Sequence, residues 1–286
     1  MKLSNYFLNI LFLLFLLNFF SCQKIEPLYK KEWTEQEKKE LPKKLVNGIS
    51  NYYQGTPAQQ FLLQEALFFD STYADIYREI GVPYLKRGIA AEFSNYYGKA
   101  ADLNPLDWLA WRGYLYLFFY RDYDRALNDF LKADDLTPGI VDHPQSMNID
   151  FLKGVCYLKL GQYQKAIDYF DTQIKYETET VGLEYMESIT FLFKGIAFWE
   201  MSQFKKAYET FTIGLSIDAK NSDLLFWTAK YWQQMGNNSK AKEFNTMAKE
   251  QFLNGYFNKR NYVEEFFQTY LSDIEGLEKE LDLKNK

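Results

Sequence analysis

Few residues in this chain have types and spacings that could do chemistry. Cys156, in Lys153-Gly-Val-Cys-Tyr-Leu-Lys-Leu160, could serve as a thiolate nucleophile only with a base beside it. The single histidine, His143, lies in a separate proline-containing segment, so a small buried hydrophobe is the plainer reading. Carboxylate pairs occur at Glu184 and Glu187, three apart, and at Asp134 and Asp135 near an expected helix end. On an acidic surface such pairs are solvated far more often than they act as acid and base. The chain has no Gly-x4-Gly-Lys-Ser/Thr loop, no His-Glu-x2-His and no Gly-x-Ser-x-Gly. Two cysteines and one histidine exclude both a disulfide scaffold and a multi-histidine metal site. With 33 Lys+Arg against 38 Asp+Glu, and no basic cluster, a phosphate-binding surface for nucleic acid is not expected. The expectation is a protein with no catalytic residue, no metal and no cofactor.

The other cysteine, Cys22, ends an apolar run from Tyr6 to Phe20 that only Asn9 and Asn18 interrupt, with Lys2 the one charge before it. Fifteen apolar residues are short for a membrane span and suit a secretory signal. Residues 1–21 with Ser21 and Cys22 resemble a bacterial lipoprotein signal peptide of Bacteroidota type, in which the cysteine is acylated and becomes the new N-terminus. Phe19 and Phe20 depart from that pattern, where Leu and a smaller residue are usual. The resemblance implies a lipid on Cys22 and a place in the cell envelope, at the outer membrane, with the periplasmic face and the cell surface both open. Residues 22–44, rich in mixed Lys and Glu, then form a charged tether or frayed helix, with Pro42 marking the start of the globular part.

The elements beyond residue 44 repeat. Gly81, Tyr84, Tyr97, Ala100 and Pro105 recur in kind as Gly113, Tyr116, Phe130, Ala133 and Pro138. The small-then-aromatic signature returns at Gly154, Tyr157, Ala166 and Phe170, then at Gly195, Phe198, Ala207 and Phe211, and more weakly at Ala229, Trp232, Ala241 and Ala248. A small residue on one helix lets its partner approach, and Ala-x3-Phe puts a small and a large residue on one face of that partner. The pattern resembles the tetratricopeptide repeat. The resemblance implies an all-α fold, an α-solenoid in which antiparallel helix pairs form a right-handed superhelix, over residues 45–254. Leu63 and Ala66 would belong to a degenerate first pair.

Spacing and proline placement add detail. Gly81 to Gly113 spans 32 residues, but Gly113 to Gly154 and Gly154 to Gly195 each span 41. The extra residues fall near 137–147 and 176–186, as enlarged loops or as longer helices. Pro83 lies inside an expected helix, where it removes one backbone bond and should kink it. From residue 255 to 286, Tyr262, Phe266, Tyr270, Ile274, Leu277 and Leu281 follow a helical period and predict one amphipathic capping helix.

In this repeat family an inner groove, lined by the first helix of each pair, holds extended peptides. The face a third of a turn from the packing glycines offers Arg78, Lys86, Tyr114, Phe118, Phe151, Lys159, Trp199 and Phe226 as partner-binding residues. The carboxylate clamp of chaperone-binding members is not matched, because Val82, Asp107 and Trp111 stand where cations are needed. The implied function is a membrane-anchored adaptor or scaffold that binds another envelope protein or peptide segment. Two other readings stay open: an outer-membrane glycan-binding lipoprotein, favoured if Trp33, Trp108 and Trp199 share one cleft, and an enzyme.

Overall fold

The computed structural model describes residues 32–284. Cys22 and the apolar run before it lie outside the described residues. Thirteen α-helices and no strand occur among the described residues, and none of these helices is long and apolar enough to cross a membrane. The chain divides into two compact units, one up to Ile76 and one from Tyr77 onward.

In the first unit, α1 (Glu35–Gly48) packs on α2 (Pro57–Phe69). The start of α1 is set by a capping box, in which Glu37 donates its backbone N–H to the Thr34 hydroxyl while the Glu37 carboxylate accepts from the Thr34 N–H at 3.0 Å. The boundary expected between residues 44 and 45 therefore falls inside a helix, and Pro42 is a buried residue within α1, not its beginning. Thr56 caps α2, Pro57 occupies its first turn, and Leu63 and Ala66 are fully buried. The edge of Trp33 meets the Phe69 ring, centroids 5.4 Å apart.

The second unit stacks helix pairs. α3 (Ala74–Lys86) meets α4 (Ala90–Leu103) at Gly81, where an added Cβ would lie 3.3 Å from Tyr96 Cβ and from the Tyr97 nitrogen. The next pairs are α5 (Pro105–Leu115) with α6 (Tyr123–Leu136), α7 (Ile149–Lys159) with α8 (Tyr163–Thr180), α9 (Ile189–Glu200) with α10 (Phe204–Ile217), and α11 (Ser222–Gln234) with α12 (Asn238–Leu253). Each second helix also packs on the next first helix, as α6 on α7, α8 on α9 and α10 on α11. α13 (Leu271–Lys284) closes the stack against α12 and α11. The fold is an all-α solenoid.

The repeat signature has a direct physical basis here. A Cβ on Gly113 would stand 2.8 Å from the Phe130 ring, and one on Gly154 would stand 2.6 Å from Phe170. A Cβ on Gly195 would collide with Phe211 in the same way. All three phenylalanines are fully buried. Each glycine is the slot into which the large ring of its partner helix fits.

The two enlarged connections resolve differently. Residues 137–147 form a loop containing a short 3-10 turn at Pro144–Ser146, whereas α8 runs on to Thr180 before a 3-10 turn at Leu183–Tyr185. Helix α3 continues through Pro83.

The C-terminal expectation needs correction. The helix begins only at Leu271, and residues 255–270 contain none. Gly255, at φ 86°, ends α12, and Tyr262 and Phe267 hold left-handed backbone at φ 70° and 52°, which no helix admits. The helical spacing of Tyr262, Phe266 and Tyr270 is overridden by ring sites on different helices.

Candidate functional site

Residues 256–270 lie along the face formed by the first helices of the pairs. The loop is pinned at both ends by Asp223 of α11, whose two carboxylate oxygens accept the backbone N–H of Asn258 at 2.7 Å and of Thr269 at 2.8 Å. Asp223 is fully buried, and burial raises its pKa above the ordinary carboxylate value against the pull of those hydrogen bonds. The Ser222 N–H, donating to the Tyr256 carbonyl at 2.7 Å, secures the start of the loop.

From there the loop reaches across the other first helices. Arg260 lays its guanidinium 3.7 Å from the centroid of Phe118, in the π turn Tyr116–Tyr120 that follows α5, and donates to the hydroxyl of Tyr114 on α5 at 3.2 Å. At the tip, exposed Tyr262 lies under the ammonium of Lys86 on α3, 5.5 Å from its ring centroid. On the return, Phe266 packs against Phe118 (5.3 Å between centroids) and Tyr123, and Phe267 meets Phe193 of α9 edge-on at 5.7 Å. Arg121 stands 4.0 Å from the Phe266 centroid, and Lys159 of α7 stands 4.6 Å from that of Phe267. Burial, with Arg121 nearby, lowers the Lys159 pKa. The arrangement is a ladder of rings and cations that holds a non-helical segment by cation–π and edge contacts.

The eight groove residues read from the sequence separate on this geometry. Lys86, Tyr114, Phe118 and Lys159 touch the loop. Trp199 and Phe226 gather around the Lys230 ammonium, which lies 3.9 Å from the Trp227 centroid and 5.3 Å from that of Trp199. Arg78 caps the Trp108 ring at 4.8 Å and pairs with Glu79. Phe151 is a core residue, packed between Phe170 and Phe193. Sequence reasoning missed Arg121, Phe193, Asp223 and the loop residues Arg260, Phe266 and Phe267. Adjacent Phe266 and Phe267 were the available signal, since neighbours on a helix do not share one face.

The residues considered for chemistry are dispersed. Cys156 is fully buried, and burial pushes its thiol pKa far up. His143 is exposed, with its ring 6.5 Å from that of Tyr176. Glu184 and Glu187 are both exposed, and Asp134 forms an ion pair with Lys153. Trp108 packs among Tyr97 and Trp111, whereas Trp199 packs with Phe204 and Trp227.

Comparison with known proteins agrees with the architecture. Residues 151–179, which span most of α7 and of α8, match the tetratricopeptide repeat family model. The fold is the tetratricopeptide-type α-solenoid. A MamA fragment from Desulfovibrio magneticus RS-1 superposes with a TM-score of 0.53 at 20% identity, over 64% of this chain and 96% of that one. PilF of Pseudomonas aeruginosa gives 0.55 at 15% identity, over 76% and 94%. PilW, a type IV pilus biogenesis factor, gives 0.55 at 17% identity, over 78% and 96%. No curated protein matches the sequence.

Proposed function

We propose that this protein is an adaptor of the bacterial cell envelope, held at the membrane by a lipid on Cys22, that takes an extended segment of another envelope protein on its first-helix face. The observation that carries this reading is the loop itself: the face already holds an irregular, non-helical segment, residues 256–270, through rings, cations and backbone hydrogen bonds. The apolar run ending in Ser21-Cys22 supports the anchor. Anchoring confines the module to a thin layer, so a modest affinity for another anchored protein suffices.

The test has two arms. Cys22→Ala should move the protein from the membrane to the soluble fraction, and retention in the membrane removes the anchor. Photoreactive residues placed at Lys86 or Trp199 in intact cells should cross-link one protein that a probe at exposed Lys205 does not. Equal adducts from all three sites remove the adaptor.

A further inference from the structure

The loop neutralises its own charge. Glu265, almost fully buried, accepts Arg260 on one oxygen at 2.9–3.0 Å and the Phe266 N–H on the other at 2.9 Å. It therefore asks no counter-charge of the helices beneath it. Its sixteen residues, 255–270, begin at the end of α12 and finish at the start of α13, and those two helices pack on each other. This is an Ω-type loop whose departure would leave the helix stack tied together.

The cations under the loop are poorly served by it. Arg121 donates to the neutral Glu264 carbonyl, and its Nη1 is buried without a hydrogen-bond partner among the described residues. Lys159 meets the rings of Phe266, Phe267 and Tyr123 and forms no ion pair among the described residues. Backbone geometry holds Arg121 in place: a five-residue π turn, Tyr116–Tyr120, ends α5 and is followed by Arg121 in left-handed backbone at φ 55°. Such departures from regular geometry cluster where a ligand is gripped.

We infer that residues 256–270 are a displaceable resident of this face, and that the segment replacing them is an extended acidic-aromatic peptide. Its carboxylate lies between Arg121 and Lys159, and its two adjacent rings take the sites of Phe266 and Phe267. This rests on the adaptor reading and names its partner chemistry. The incoming carboxylate gives the Arg121 guanidinium an opposite charge in place of a neutral carbonyl, and its second oxygen can take the Nη1 donor that the loop leaves without a partner. A tethered resident acts at an effective concentration on the order of millimolar, so it sets a threshold that only a matching segment passes.

The probe is a fluorescent, end-blocked peptide of residues 263–270, Val-Glu-Glu-Phe-Phe-Gln-Thr-Tyr, in which no Arg260 occupies the second glutamate. Anisotropy titrations use the full chain, its Phe266→Ala/Phe267→Ala form, and that form with Arg121→Gln. The peptide should bind the double variant at least about tenfold tighter than the wild type. Adding Arg121→Gln, or replacing both peptide glutamates by glutamine, should lose about tenfold again. Equal affinity for all three chains, or no binding to any, overturns the proposal. Should the double variant melt early, amide exchange of the wild type decides: saturating peptide should speed exchange across 256–270 and slow it nowhere on α12, and unchanged exchange overturns the proposal. Failure here with selective cross-links from Lys86 or Trp199 would remove the displaceable loop and leave the adaptor.

Discussion

Phe170 fills the space that a side chain on Gly154 would need, its ring 2.6 Å from where a Cβ would stand. Gly154→Ala should therefore lower stability by about 1–3 kcal/mol despite the better helix propensity of alanine, because a fully buried ring must move. The opposite sign is expected at Gly276 in α13, where nothing lies within 4 Å of the added Cβ. Gly276→Ala should stabilise by up to about 1 kcal/mol. Urea melts of the two variants test the contrast, and a loss at both sites would refute the slot.

Arg112 and Asp129 join α5 to α6 by two parallel bonds, Nε to Oδ2 at 2.8 Å and Nη2 to Oδ1 at 2.9 Å, with Asp129 buried. Asp129→Ala leaves a guanidinium without its fork partner and should cost about 3 kcal/mol. Arg112→Lys should recover less than half of the pair, since an ammonium cannot span both oxygens. Thermal unfolding of the three proteins gives the comparison.

Asp223 holds both ends of the loop, so Asp223→Ala should release it with little effect on the stack. Amide exchange across 256–270 should quicken at least tenfold, while α7 and α8 keep their protection. Uniform acceleration along the chain would mean that the residue supports the fold and not the loop.

Lys230 is packed among Trp199, Phe226 and Trp227, and burial lowers its pKa from the usual 10.5, against the pull of Glu200 and Asp273. Between the lowered folded value and 10.5 the unfolded chain binds more protons, so this residue makes stability rise with pH there. The stability difference between Lys230→Met and wild type should accordingly shift toward wild type from about pH 8 to pH 10. Chemical denaturation at both pH values measures it, and a constant difference would mean an unperturbed amine.

Cys156 tests the nucleophile reading directly. In the Cys22→Ala protein, a thiol reagent should leave native Cys156 unmodified over hours and label it fully on unfolding, because burial keeps the thiol protonated and out of reach. Rapid native labelling would restore a reactive cysteine.

The regular part of this fold was legible because it is written in contacts between near neighbours. Gly113, Gly154 and Gly195 each meet a phenylalanine 16 or 17 residues on, and that spacing is the helix pair itself. Helical periodicity also states which side of a first helix Tyr114, Phe118, Lys86 and Lys159 occupy, and that side is the one the loop covers. Phe151, reached by the same reckoning, is buried against Phe170 and Phe193, because one side of a helix in a stack also meets the next pair.

What the sequence determined alone is the set of helix pairs: small residues, ring positions and caps act within about forty residues and need no distant partner. The C-terminal loop was decided only in three dimensions. Tyr262, Phe266 and Tyr270 carry a helical period, yet the loop is held by distant residues: Thr269 by Asp223, 46 residues away, and Phe266 by Phe118, 148 residues away in the chain. Burying Phe266 and satisfying Asp223 outweigh a local helix preference worth tenths of a kcal/mol per residue, and neither gain exists until the stack has formed.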